Sequence, residues 1–346
     1  MKLSVAPLLL AAACVVPDDA TVTSVEQDLK CDDWMCGTNS PNIANYGFWD
    51  LQRFGLKNKQ GFAIDSFSKL GKPYQLNVKN GRFIGEPMSS ADPVLVYDAL
   101  IGSQIYLSRD GHVAFLIEIV GVETTQYWAN IGAPVELETY LLKWGNVSGG
   151  HLVGQLQDLC SAASSKSDLG MNGYHTTVFE GERIDAQAKT IAPILDLAWF
   201  NLGCAGSALA KLQLIGHTEA AKANGYNTTI LERQTALKMI TADYTGKGTA
   251  FTIAGQPLDW MDDRHTLSYQ TTGPTLEARW TPYGVSCLSV PRVVANPSPA
   301  ANAAFPNGVQ RAIKAAFGGV LPPPCTGSNV GVENHHLITA NPPPLP

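Results

Sequence analysis

The sequence predicts an α+β protein, with a mainly antiparallel β domain followed by a small domain of two helices and β-hairpins. Three observations carry that expectation. Apolar and polar residues alternate with period two through much of the first half. The period changes to that of an amphipathic helix after Ala205. With 32 Gly and 22 Pro among 346 residues and only 16% charged residues, the composition is that of a β-rich chain full of turns.

The chain opens with Met1 and Lys2, an apolar run from Leu3 to Ala13, and three alanines directly before Cys14. This is the layout of a signal peptide over residues 1–13. Its apolar run is far short of the roughly 18 residues of a spanning helix. A Cys after small residues is where lipoprotein maturation acylates a thiol. Cys14 is therefore the expected lipidation site, with a membrane as partner and the cell envelope, at the outer membrane or surface, as location. Cleavage after the alanines to give a secreted soluble protein is the alternative. Residues 14–30 form a polar tether that includes Asp18, Asp19, Glu26 and Asp28.

Residues 31–160 are the expected β-rich domain. Tyr74 to Val78 alternates cleanly, and Asn80-Gly81 supplies a hairpin turn before Phe83 and Ile84. Val94 to Leu100, Ser103 to Leu107, Val113 to Val120 and Val135 to Leu141 are further strands, the last with Glu136 and Glu138 on one face. Gly149-Gly150 and the Ser-rich run Ser161 to Ser167 mark a boundary. The second domain, residues 161–292, begins with a strand at Thr176 to Phe179. Ala205, Ala208, Leu209, Leu212 and Ile215 then share one helical face, ended by Gly216. A second helix starts at Thr229, with Glu232 completing a capping box, and runs to about Asp243. Phe251 to Trp260 reads as one hairpin, and Thr275 to Trp280 with Val285 to Val290 as another. Residues 293–346 read as a Pro/Ala-rich appendage with one short helix near Val309 to Phe317.

Lys plus Arg number 24 against 30 acids, a net charge of −6, which excludes the basic footprint of a nucleic-acid binder. Beyond Cys14 six cysteines remain, an even number that in an exported chain reads as disulfides. Cys31 and Cys36 are close enough to bridge locally. Cys160, Cys204, Cys287 and Cys325 permit three pairings, with Cys160 the first choice of partner for Cys204.

Cys204 to Lys211, Thr241-Ala242-Asp243-Tyr244-Thr245-Gly246-Lys247-Gly248, Leu276 to Trp280 and Val285-Ser286-Cys287 together resemble the ADYC domain of exported bacterial proteins, over roughly Thr176 to Arg292. Cys31 to Asn39 looks like the start of such proteins. Thr245 stands where the signature has its Cys, and Leu212 where members tend to carry another. The resemblance implies that the two were disulfide partners, lost together. It brings an exported, disulfide-containing domain of unknown function, and so no catalytic residue.

Cys204 at a helix start, where a thiol pKa is lowered, is the sharpest catalytic candidate, with His265 as partner and His217 as a poorer one. Cysteine hydrolases of the papain type share that order, and such a hydrolase acting on an envelope substrate is the alternative reading. Asp243 at a helix C-terminus opposes the macrodipole and calls for compensation by Lys247 or a backbone N–H of the following turn. Trp128, Trp144, Trp199, Trp260 and Trp280 lie in or beside strands, where core positions are commoner than sugar platforms. His335-His336 reads as a solvated pair. No Walker loop, GxSxG elbow, HExxH or EF-hand loop occurs. The expectation is a non-enzymatic envelope protein, structural or binding, with no cofactor and an envelope protein or glycan as partner.

Overall fold

The computed structural model describes residues 41–43, 46–47, 50–128, 134–160, 173–252, 259–262, 275–297, 299, 303, 305–326 and 337–341. The expected signal peptide, Cys14, the tether, Cys31 and Cys36, His265 and His335-His336 lie outside these residues.

Ten strands form one antiparallel sheet. They are β1 (Asp50–Gln52), β2 (Phe62–Lys69), β3 (Lys72–Lys79), β4 (Arg82–Pro87), β5 (Ser103–Arg109), β6 (His112–Gln126), β7 (Glu136–Ser148), β8 (His151–Asp158), β9 (His175–Gly181) and β10 (Asp196–Cys204). Their order is β1-β10-β9-β7-β6-β5-β2-β3-β4, with β8 paired to β7. The period-two pattern explains the inner face. Tyr74, Leu76 and Val78 are buried while Gln75 and Asn77 are half-exposed, and on β5 Ile105 and Leu107 are buried in turn. These side chains join Phe62, Ile117, Tyr140, Val178 and Phe200 in one core. Each such residue contributes roughly 1.5–3 kcal/mol when fully buried.

The sheet rolls until its two ends meet. Arg53, just after β1, donates to Asn77 on β3, and Gln75 Nε2 donates back to Arg53 O at 3.4 Å. The turn between β3 and β4 docks on β9. Asn80 and Gly81 hold φ of 55° and 74°, the left-handed pair a two-residue hairpin demands. Their N–H groups donate to the carboxylate of Glu180 at 2.6 and 3.1 Å. Phe83 N donates to Tyr140 Oη on β7 at 2.9 Å, and the Phe83 ring meets Tyr140 and Phe200 edge-on. The two acids expected on one face of β7 diverge in burial. Glu136 is exposed, whereas Glu138 is buried and paired with Arg82 at 3.1 Å.

Three features differ from the sequence reading. Val94 to Leu100, expected as a strand, is a single bridge from Leu95 to Gly85 followed by a 3-10 helix at Tyr97–Leu100. The segment crosses the end of the roll and inserts Leu95 and Leu100, 3% and 0% exposed, so its apolar residues plug a core without pairing in a sheet. The expected boundary at residues 160/161 falls inside the sheet, because β9 and β10 pair with β7 and β1. The expected C-terminal appendage contributes a central strand. A second antiparallel sheet runs β11 (Asp259–Asp262), β14 (Leu337–Asn341), β12 (Thr275–Thr281) and β13 (Gly284–Leu288), with β14 in its interior.

Helices α1 (Ala208–Leu214) and α2 (Ile230–Thr241) lie between the rolled sheet and this smaller one. Ser207 caps α1 by accepting from Ala210 N at 3.3 Å. The capping box of α2 is present in both directions between Thr229 and Glu232. Leu209, Leu212, Leu237, Ile240 and Trp280 pack with Leu337 in a second core. A third helix, α3 (Val309–Ala316), adds Ile313 to it. Disulfides join Cys160 to Cys204 and Cys287 to Cys325.

Candidate functional site

Every residue of α2 from Glu232 to Thr241 is buried, including Arg233, Gln234 and Lys238. A helix enclosed on all sides must give its polar groups internal partners, since an unpaired buried charge costs several kcal/mol. Gln234 bridges the backbone of Lys189 and Ile191 at 2.9 and 2.7 Å. The charged residues define two networks.

The first contains the Ala242-Asp243-Tyr244 signature. Ala242 ends α2 at φ 48°, a left-handed conformation that turns Asp243 and Tyr244 inward, where they are 0% and 1% exposed. Asp243 Oδ2 accepts from Lys238 Nζ at 2.7 Å and from Gly248 N at 2.8 Å. The other two Lys238 protons go to Ala188 O and Gly246 O at 2.9 and 3.1 Å. The expected helix-end compensation is thus met by a backbone N–H and by Lys238, one turn back on the same helix. Lys247 is exposed. The turn then lies flush against the β12–β13 hairpin. A Cβ on Gly246 would fall 2.0 Å from Tyr283 O, and one on Gly284 would fall 2.4 Å from Tyr244 O. Only glycine admits that approach, which Val285 N seals by donating to Tyr244 O at 2.9 Å.

Tyr244 Oη donates to Glu277 Oε1 at 2.5 Å, and Arg292 Nε donates to the same oxygen at 2.8 Å. Its ring stacks between Trp280 and Phe251, with centroids 5.2 and 5.9 Å away. Burial, reinforced by the Glu277 charge, pushes the Tyr244 hydroxyl well above the usual tyrosine range, so it stays protonated and donates. Glu277 and Arg292 are 0% and 1% exposed. The signature is a rivet between α2 and the second sheet, with Asp243 bonded to Lys238 and Gly248 and Tyr244 to Glu277.

The second network ties α2 to the rolled sheet. Arg233 donates from Nη1 to Glu182 Oε1 at 3.0 Å and from Nη2 to Glu219 Oε2 at 2.7 Å. Its remaining bonds go to Thr228. Glu182 follows β9 directly and also accepts Glu219 N at 2.6 Å. Burial pushes its carboxyl up to about 7, against the opposing pull of Arg233.

Cys204, the sequence candidate for nucleophilic chemistry, ends β10 opposite Thr176 and is 8% exposed. Its sulfur is bonded to Cys160, so in this structure it offers no thiolate, and the hydrolase reading loses its nucleophile. His217, the poorer candidate, is buried with Nδ1 2.9 Å from Ile215 O. His175, which the sequence reading passed over, lies 2.9 Å from Thr139 Oγ1 and is 1% exposed. Of the tryptophans, Trp199, Trp260 and Trp280 are buried. Trp128 and Trp144 are half-buried and pack against the two cores. No cluster of three metal-ligating side chains occurs among the described residues.

A cleft of about 490 Å³ opens beside Asp50, Lys59, Arg183, Asp185 and Asp196. Its cations are already paired, since Arg183 grips Asp50 with bonds of 3.0 to 3.2 Å and stacks 3.4 Å over Trp199. Lys59 holds Asp185 at 2.8 Å.

Glu182, Arg233, Glu277 and Arg292 were not legible as site residues. Each finds its partner across a long stretch of chain, 51 residues for Arg233 with Glu182 and 15 for Arg292 with Glu277. The one available signal was a charge amid apolar residues in Leu276-Glu277-Ala278. Compared with known families, the model of the ADYC domain matches residues 97–294, more than half of the chain. The match reaches N-terminally to Tyr97, well into the rolled sheet. No curated protein and no solved structure gives a significant match.

Proposed function

We propose that this chain, which belongs to the ADYC domain family, is an exported cell-envelope protein, held at a membrane by a lipid on Cys14, with a structural or binding role. The observation that carries the non-enzymatic part is the burial of the signature. Asp243 and Tyr244 are enclosed, and their polar atoms are bonded to Lys238, Gly248 and Glu277. Groups committed in this way organise a fold and are not presented to a substrate. Two disulfides support an oxidising compartment. Among the described residues no helix is long and apolar enough to cross a membrane. Envelope proteins and glycans are the partners such a scaffold meets.

Mass spectrometry of the native N-terminus tests the tether, with a diacylated Cys14 expected and an intact Met1 ruling out export. Iodoacetamide without reductant tests the scaffold reading. Cys204 should stay unlabelled, and rapid labelling that depends on His265 would restore the hydrolase.

A further inference from the structure

In a protein of net charge −6, the stretch from Ala278 to Pro346 is basic, with Arg279, Arg292, Arg311 and Lys314 against the single acid Glu333. Arg279 and Arg292 are buried in the second sheet and its ion pair. Arg311 and Lys314 are exposed, on the outer face of α3 beside Gln310. The opposite face of that helix, through Val309, Ala312, Ile313, Ala316 and Phe317, packs on the second core. After the helix the chain turns back, with Gly319 N donating to Lys314 O at 2.9 Å, and places Val320 and Leu321 next to the basic face. These residues enclose a shallow cleft of about 610 Å³ with no acid in its lining. Val320 is 78% exposed and Leu321 37%. Among the described residues neither Arg311 nor Lys314 forms an ion pair. The platform is fastened at its far end, because Cys325 is bonded to Cys287 and Leu288 N donates to Pro323 O at 3.0 Å.

Two uncompensated cations and a projecting apolar pair, held out by an anchored helix, complement a surface that is anionic outside and apolar beneath. We propose that this face docks on an anionic lipid surface, with Arg311 and Lys314 at the phosphates and Val320 and Leu321 at the headgroup boundary. A nucleic acid or acidic peptide would use the cations and leave the apolar pair in water. Two cations with an apolar pair hold a free protein at a membrane only weakly, at a level that low salt and high lipid make measurable. They suffice to orient one that is already tethered, and in that sense the inference rests on the lipid-anchor reading.

The test uses the mature chain with Cys14→Ser, so that no acyl group contributes, sedimented with vesicles of phosphatidylcholine or of phosphatidylcholine and phosphatidylglycerol in equal parts. Each cation near an anionic surface strengthens binding roughly fivefold, so the anionic vesicles should bind about 30-fold more tightly. Added salt should erase the difference. Arg311→Gln with Lys314→Gln should abolish the preference. Val320→Ser with Leu321→Ser should weaken binding at low and high salt alike, and neither pair of changes should alter the melting temperature. Equal binding to both vesicles, or a preference that survives loss of both cations, would overturn the proposal. So would competition by polyglutamate as effective as that by vesicles, which would assign the face to a soluble polyanion. An unacylated native Cys14 with intact vesicle preference would remove the tether and leave this surface standing.

Discussion

Removing the carboxylate of Asp243 leaves the Lys238 ammonium 1% exposed with no counter-charge. That is the costly way to break a buried ion pair, and Asp243→Ala should destabilise the protein by about 3–5 kcal/mol. Tyr244→Phe is gentler. The ring keeps its place between Trp280 and Phe251, and Arg292 still bonds Glu277. The main loss is the hydrogen bond donated to a charged acceptor, about 1.5–3 kcal/mol, because Arg292 N, which donates to Tyr244 Oη at 3.3 Å, keeps Glu277 Oε1 as acceptor. Lys247→Ala, at an exposed site, should stay within about 0.5 kcal/mol of wild type. Urea denaturation of the three variants gives the order directly. A Lys247 variant as damaged as the Asp243 variant would mean that Lys247, not Lys238, neutralises the helix end. At this scale the sequence named Asp243 as a turn organiser from helix-dipole reasoning. It could not name Lys238, because a lysine in the last turn of a helix reads as an ordinary solvated charge until the helix is known to be enclosed.

Elements differ in how plainly their residues announce them. The β3–β4 hairpin was legible because its alternation and its Asn-Gly turn agree, and α2 because Thr229 and Glu232 form a capping box. Strand β10 escaped because it is buried continuously from Trp199 to Cys204, where helices cover the outer face and erase the period-two pattern. Strand β14 escaped for a different reason. Its partners Asp259–Asp262 and Thr275–Thr281 lie far upstream, and a five-residue strand between Pro-rich stretches has no local signal. Its place in the sheet makes a measurable claim. Leu337 is 2% exposed in the core that contains Trp280. Leu337→Ala should therefore lower stability by about 2–5 kcal/mol, as at other core leucines. A loose appendage would register almost nothing in the same thermal or urea melt.

The whole molecule is two apolar cores joined through α2, and the joint is where its response to pH originates. Glu182 links Arg233 on α2 to the end of β9, and burial moves its carboxyl from the ordinary 4.5 to about 7. Between those values the folded protein keeps a proton that the unfolded chain has released. Stability from this group is therefore fully present below about pH 4.5 and is lost as pH rises through 7. At roughly 1.4 kcal/mol per pH unit, the loss over that interval is about 3 kcal/mol. Asp50 and Glu138 are raised by burial as well and act in the same direction. Asp185, lowered mainly by its bond to Lys59, acts oppositely. So does Glu219, where burial raises the carboxyl but bonds from Arg233 and Lys222 lower it overall. Their stabilisation disappears only as pH falls below the ordinary carboxylate range, outside the window that Glu182 governs. Urea melts at intervals from pH 5 to pH 8 should show stability declining, contrary to a protein held by exposed salt bridges. Glu182→Gln keeps an oxygen for Arg233 and Glu219 N but cannot titrate, so its profile over the same range should keep only the smaller slope that Asp50 and Glu138 contribute. Wild-type stability that rises with pH, or a Gln variant that retains the full slope, would place the titrating group elsewhere than at this joint.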